Sequence, residues 1–302
     1  MTQQPSVTVV IPCHNDGQYL RQAVDSCLMQ TMENIEIIIV DDGSDDRATQ
    51  RVLMEMQDPR ITVLHANHIG PAGARNIAIR HAHGRYILPL DADDWIEPQY
   101  IASAAAVLDA SSEVGIVYCR AKLFGRQEGV WELPTFSLEN FLTDNCIFIT
   151  SMFRKQDWQD VGGFSEAFRH GLEDYDFWLS LVERGRKVVQ FPEILFHYRI
   201  KERSRSTELN ASSAHMMESY ALLYTRHRKL YQDNMDTAFL GLRKALIEEK
   251  ILAGTSSAQL RDPVAEYWKT LRLLKPGRAR KVEAVLTAKI RLAQRLRQFI
   301  GK

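Results

Sequence analysis

A chain of 302 residues, 45% hydrophobic and 25% charged, has room for one large α/β domain with an appendage or for two domains, and is composed like an ordinary folded soluble protein. Its 38 Lys and Arg balance 38 Asp and Glu, so no global charge points to nucleic acid. Cys13, Cys27, Cys119 and Cys146 form no C-x-x-C pair, which argues against a thiol metal site or a disulfide framework and for a reducing cytosol.

In chain order, Met1 to Ser6 lacks the basic-then-apolar pattern of a signal peptide. Val7 to Ile11 is a β-branched run halted by Pro12, expected as a strand buried on both faces. After the polar loop Cys13-His14-Asn15-Asp16-Gly17, a helix is expected over Tyr19 to Gln30. A second apolar strand, Ile35 to Val40, runs into Asp41-Asp42-Gly43-Ser44. A helix from about Arg47 to Gln57 and a strand from Ile61 to His65 complete a β-α-β-α-β rhythm, which predicts a parallel sheet with right-handed crossovers. The turn-rich loop Ala66 to Gly73 leads into a helix opening at Ala74-Arg75-Asn76 and ending at Gly84.

Tyr86 to Leu90 is then an apolar run that drives into Asp91-Ala92-Asp93-Asp94. A buried strand ending in acids needs a cation or ordered donors to offset the lost solvation. Asp91 and Asp93 can place one carboxylate on a ligand hydroxyl and the other on a hard cation, Mg²⁺ or Mn²⁺ by the oxygen-only chemistry. The plainer reading is a solvated turn with Asp94 capping the next helix. Two strands ending in acids and an Arg at a helix start favour a ligand site, because ligands sit at the carboxyl edge of such sheets.

A helix is expected over Glu97 to Ala110, a strand over Gly115 to Arg120, and a short helix capped by Ser137. Gly162-Gly163-Phe164 marks a turn before Leu172 to Val182, a helix whose Leu172, Tyr175, Leu179 and Val182 share one face. Glu173 and Asp174 in its first turn also suit the helix dipole. Lys187 to Phe191 and Ile194 to Ile200 read as two strands split by Pro192, followed by a basic loop, Lys201 to Ser206. Beyond Thr207 only helices are expected, roughly Ala211 to Gln232, Asp236 to Leu252, Ser257 to Leu274 and Arg278 to Ile300. None of the chain's apolar runs approaches the ~20 residues that span a bilayer.

These motifs, in this order and spacing over about Ser6 to Ser206, resemble the inverting glycosyltransferases of family 2, bacterial surface-glycan type. The resemblance implies the GT-A fold, a Rossmann-like, mostly parallel central sheet flanked by helices. It divides the chain into a glycosyltransferase domain, 1–207, and a helical C-terminal region, 208–302. Residues 1–110 would form the nucleotide-sugar half and 111–207 the acceptor half. The implied reaction moves a hexosyl group from a nucleotide-sugar, UDP-linked by resemblance alone, to a hydroxyl of a glycan or lipid-linked saccharide.

Carried over, Pro12, Asn15 and Asp42 would line the nucleotide pocket, with Asp42 accepting from the uracil ring. Arg75 would brace the acidic rim or the nucleotide. Asp91 would bind ribose and Asp93 the divalent cation, with His197 as a further metal or phosphate contact. Asp174 would be the general base, supported by Glu173, and the Arg199 to Ser206 loop a lid. The segment Q-x-x-R-W of processive synthases is missing, which favours a distributive enzyme.

A non-catalytic sugar-nucleotide-binding scaffold is the competing reading. A sugar nucleotidyltransferase is a weaker one, since it would want a glycine-rich basic loop where Cys13-His14-Asn15-Asp16 stands. At 278–300, Val282, Val285, Leu286, Ala293, Leu296 and Ile300 form an apolar stripe flanked by Arg280, Lys281, Lys289, Arg291, Arg295 and Arg297. That helix would lie on a membrane surface, placing the enzyme peripherally on the inner face of the cell membrane, or pack on the protein or a second copy.

Overall fold

A computed structural model of the chain describes residues 5–202 and 204–252. The helices expected over Ser257 to Leu274 and Arg278 to Ile300, with the basic stripe at 278–300, lie outside these residues.

The first half is a parallel α/β layer. Strands β1 (Val7–Cys13), β2 (Ile35–Asp42), β3 (Ile61–Ala66) and β4 (Tyr86–Pro89) alternate with helices α1 (Gly17–Leu28), α2 (Arg47–Met54) and α3 (Gly70–His81). Val7, Val9, Val10 and Ile11 of β1 and Ile37 and Ile39 of β2 are fully buried, as strands covered on both faces require. Strand β1 runs through Pro12 to Cys13. Val10 O accepts from Leu90 N on the β4 side, and the ladder with β4 ends at Val10, so Pro12's missing N–H falls beyond it and costs no ladder bond.

The second half changes direction. It comprises β5 (Trp95–Ile96), α4 (Tyr100–Ala110), β6 (Val114–Gly125), β7 (Gly129–Trp131), α5 (Leu138–Thr143), β8 (Met152–Arg154), α6 (Lys155–Val161), α7 (Glu173–Glu183) and β9 (Lys187–Ile200). Together the strands form one sheet of order β3-β2-β1-β4-β8-β6-β9-β5, with β7 beside β6. Strand β8 is antiparallel to both β4 and β6, while β9 runs parallel to β6. The α/β expectation holds, with a sheet that is parallel in its first half and mixed beyond it.

Pro192 does not split β9 in two. The strand continues past it, and the register against β6 shifts between Tyr118 and Ala121. Ser137 caps α5 as expected, its Oγ accepting from Asn140 N at 3.1 Å. Helices α8 (Arg205–Ala211), α9 (Ser213–Arg226), α10 (Arg228–Asp233) and α11 (Met235–Leu252) follow. By its contacts the chain divides at Gly241, so α8, α9 and α10 belong to the same compact unit as the sheet. Polar contacts fasten them there. Asp176 of α7 accepts from Arg226 and lies 3.0 Å from His227 Nε2, and Tyr220 Oη donates to Asp144 at 2.7 Å. Among the described residues no helix is long and apolar enough to cross a membrane.

Candidate active site

The carboxyl ends of β1, β2 and β4 bring the expected polar residues to one rim, and each is fixed by a specific contact. The loop after β1 turns on Asn15, whose φ of 56° is in the left-handed region that Asn tolerates. Asn15 Oδ1 accepts from Asp45 N at 3.0 Å and Asp46 N at 3.2 Å, and its Nδ2 donates to Asp45 Oδ1 at 2.8 Å. Asn15 therefore laces the first loop to the Asp41-Asp42-Gly43-Ser44 loop. Asp42, expected to face the base, turns both oxygens to the start of α3, accepting from Ile69 N at 2.7 Å and Gly70 N at 2.8 Å. A carboxylate there satisfies orphan donors and suits the helix dipole. Asp41 accepts from Ser44 N, and its Oδ2 lies 3.2 Å from Nδ1 of the exposed His65.

Arg75 is the hub. Only 3% exposed, its guanidinium donates to Asp91 Oδ1 at 2.6 Å and to Glu173 Oε1 at 2.9 Å. It thus joins the turn after β4 to the first turn of α7. Arg205 completes the cluster, donating to Glu173 at 2.9 and 3.0 Å. Burial alone would raise Glu173, but Arg205 and Arg75 hold its carboxyl down at about 2. Asp174 takes the opposite shift. Burial and the adjacent Glu173 charge push its carboxyl up to about 7, against the pull of Tyr175 N and the two arginines. Its Oδ2 accepts from Asn145 Nδ2 at 3.1 Å and its Oδ1 from Tyr175 N at 2.8 Å. A carboxylate pair whose environments push the two members apart in this way has the chemistry to exchange a proton.

Helix α7 is held against the sheet by aromatic rings. Phe177 meets Phe164 and Phe153 with ring centroids 4.4 and 4.8 Å apart, and Trp178 is fully buried beside them. The Gly162-Gly163-Phe164 turn before it is pinned by Asn76. Its Oδ1 accepts from Phe164 N at 2.9 Å and Trp158 Nε1 at 3.1 Å, and its Nδ2 donates to Phe164 O at 2.8 Å. A Cβ on Gly163, whose φ is 82°, would come within 2.8 Å of that same Asn76 oxygen. Only glycine fits there.

Asp93 lies beside Asp91, and Lys201 Nζ reaches its Oδ2 at 2.7 Å. Burial and the Asp91 charge raise the Asp93 carboxyl, against Lys201. Asp94 does not cap a helix. It is buried, its Oδ1 accepts from Arg199 N at 2.7 Å, its Oδ2 has no partner among the described residues, and burial with the Asp93 charge pushes its carboxyl well up. Arg199 sits between the Tyr19 and Phe124 rings, 4.3 Å from each centroid, and its Nε donates to Asp93 O.

His197 lies on β9. Its ring stacks on Trp95 at 3.5 Å, its Nε2 lies 2.8 Å from Glu97 Oε1, and burial lowers its pKa. The pairing of β5 with β9 places it opposite Trp95. Among the described residues no three His, Cys, Asp or Glu side chains converge to hold a metal by themselves. What does fit a hard cation is a carboxylate that already draws a positive charge, completed by phosphate oxygens. Mg²⁺ is usually bound in that way, through one or two carboxylates plus substrate.

Residues 8–172, more than half of the chain, match the family model described as glycosyl transferase family 2. The chain belongs to glycosyltransferase family 2. This glycosyltransferase is 28% identical over 292 residues to the succinoglycan biosynthesis protein ExoO of Rhizobium meliloti, across 86% of this chain and 83% of that one. The crystal structure of S. aureus TarS 1–349 with UDP-GlcNAc shares its fold at 22% identity and a TM-score of 0.62, over 73% of this chain and 66% of that chain. So does the mannosyltransferase PcManGT of Pyrobaculum calidifontis in complex with GDP-Man and Mn²⁺, at 20% identity and a TM-score of 0.58, over 92% and 83%. The GT-A fold expected from the motifs is thereby shown.

Sequence reasoning missed Lys201, Asp16, Arg205 and Asn145. The basic composition of Lys201 to Ser206 was the one available signal, and it named a loop rather than contacts.

Proposed function

We propose that this glycosyltransferase moves a sugar from a UDP-sugar to a hydroxyl of a glycan or lipid-linked saccharide, inverting the anomeric centre with Asp174 as general base. The observation that carries the reading is the different anchoring of two adjacent carboxylates: Arg75 and Arg205 donate to Glu173 at 2.9 to 3.0 Å, while Asp174 accepts from the neutral donors Asn145 Nδ2 and Tyr175 N. Asp174 can take the acceptor proton near neutral pH while the hydroxyl oxygen attacks the anomeric carbon and the bond to the diphosphate breaks. No covalent enzyme intermediate is needed, and the proton logic matches that of an inverting hydrolase.

Arg75 reads the state of both ends. It holds Asp91, assigned here to the donor ribose, and Glu173, next to the base, so the donor and acceptor sides share one buried cation. Asn15 and Asp42 shape the nucleotide pocket by fixing its loops, and Pro12 stiffens the strand that leads into it. Asp93, beside Asp91, would hold a divalent cation, Mg²⁺ or Mn²⁺. Such an ion, when bound, supplies charge neutralisation on the departing diphosphate. His197 has no part in this reading. The complexes of the neighbours with UDP-GlcNAc and with GDP-Man and Mn²⁺ support a nucleotide-sugar donor, and the ExoO name supports polysaccharide synthesis.

The test is product stereochemistry. With a donor found by screening UDP-sugars against an acceptor library, ¹H NMR of the initial product should show the anomeric configuration opposite to the donor's. Retention of configuration would sink the single-displacement reading.

A further inference from the structure

Lys201 makes more contacts in the site than its place in a basic loop suggests. Its ammonium has three N–H donors, and three carboxylate oxygens surround it: Asp93 Oδ2 at 2.7 Å and Asp16 Oδ1 and Oδ2 at 3.0 and 3.1 Å. The side chain is only 19% exposed. Asp16 stands at the N-cap of α1, where an aspartate normally accepts from the helix's first N–H groups, yet it makes no such side-chain bond. Both of its oxygens go to Lys201 instead. The ammonium therefore ties the end of β9 to the loops after β1 and β4, across the mouth of the nucleotide side.

Asp93 is the carboxylate assigned above to the divalent cation. A cation that approaches Asp93 Oδ2 meets the positive charge of an ammonium 2.7 Å from that oxygen, which weakens its hold there. We infer that Lys201 is an internal competitor for the cation position, which makes metal binding conditional on the nucleoside diphosphate. Without nucleotide, the ammonium already neutralises Asp93 and the metal must displace it into solvent. With nucleotide, the diphosphate brings negative charge for both cations, so Lys201 can leave Asp93 for a phosphate oxygen as the metal arrives. Metal and nucleotide then assist each other's binding by the same factor, as linkage requires. The inference rests on reading Asp93 as the cation carboxylate, and it assigns to Lys201 a role that the catalytic reading leaves out.

The experiment is Mn²⁺ binding by electron paramagnetic resonance, which counts free hexaaqua Mn²⁺ and needs no turnover. Wild type, Lys201→Met and Lys201→Met/Asp93→Asn are titrated with and without saturating UDP. Lys201→Met should bind Mn²⁺ about tenfold tighter than wild type without UDP, the size of effect expected from roughly 1.4 kcal/mol of lost competition. With UDP that advantage should disappear, and adding Asp93→Asn should abolish the tight site. Equal Mn²⁺ affinity of wild type and Lys201→Met without UDP overturns the inference while leaving the metal assignment standing. If no protein binds Mn²⁺ even with UDP, the inference and the metal assignment fall together. Should Lys201→Met fail to fold, as judged by circular dichroism, Lys201→Gln keeps a neutral donor toward the carboxylates and carries the same expectations.

Discussion

Asp174 and Glu173 are adjacent in sequence and opposite in behaviour, and the difference comes from which of them the arginines grip. An ordinary aspartate titrates near ~3.9, whereas Asp174 is raised to about 7. A base must be ionised to work, so turnover should climb as pH rises through about 7 and level off above it. Glu173→Gln removes the charge that raises Asp174 and leaves Arg75 and Arg205 pulling it down, so the acid limb should move to lower pH. A limb that stays in place in that variant would show that Asp174 does not set it. Arg75→Met leaves Glu173 buried with one arginine and Asp91 with none from the hub. We expect it to lower stability by about 3 kcal/mol in urea titrations, the range for breaking a buried ion pair. The residue types at this site were legible in the sequence; their partners were not. Asp42, His197 and Asp94 each satisfy a neighbour that only the folded register supplies: the start of α3, Glu97 with Trp95, and the Arg199 amide.

Among the elements, those with strong local signals were read correctly and those set by tertiary contact were not. The continuous apolar runs of β1 and β2 announced buried parallel strands, and Ser137 announced a helix start. Pro192 looked like a strand end, yet β6 pairs with β9 on both sides of it and a shifted register absorbs the proline. Asn76 stood in a recognisable motif with no visible purpose, because its partners Trp158 and Phe164 lie 82 and 88 residues away. Its purpose is to seat the glycine turn that delivers α7. Asn76→Ala should leave buried donors on Trp158 and Phe164 unsatisfied and cost about 2–3 kcal/mol. It should also lower kcat more than it raises the KM for donor, since α7 carries the proposed base while the nucleotide loops are untouched. A pure KM effect would place Asn76's influence on the donor side instead.

At the scale of the molecule, helices were expected beyond Thr207, but the attachment of α8, α9 and α10 to the sheet unit was not. The attachment is partly ionic. His227 is 2% exposed, with Nε2 and Nδ1 each 3.0 Å from the carboxylates of Asp176 and Glu183. Burial disfavours the charged ring, but these two partners prevail and raise its pKa. A raised folded-state value means that this contribution is fully present below the unfolded value, near ~6.5, and is lost as pH rises through the folded one. Wild type should therefore exceed His227→Gln in thermal stability by about 1.5 kcal/mol in mild acid, with the gap narrowing as pH rises. A gap that widens with pH would mean that the ring is neutral in its pocket. All four cysteines are buried, and burial pushes each thiol up to about 12.

The division of labour between Asp93 and Asp174 is most directly tested by isothermal titration of UDP with Mn²⁺ into wild type, Asp93→Asn and Asp174→Asn, alongside turnover of each. Asp174→Asn should bind UDP within about threefold of wild type and lose about 10³-fold in kcat, the scale of a missing general base. Asp93→Asn should lose metal-dependent UDP binding. If Asp174→Asn turns over within tenfold of wild type, the carboxylate pair on α7 is structural and the central claim is wrong.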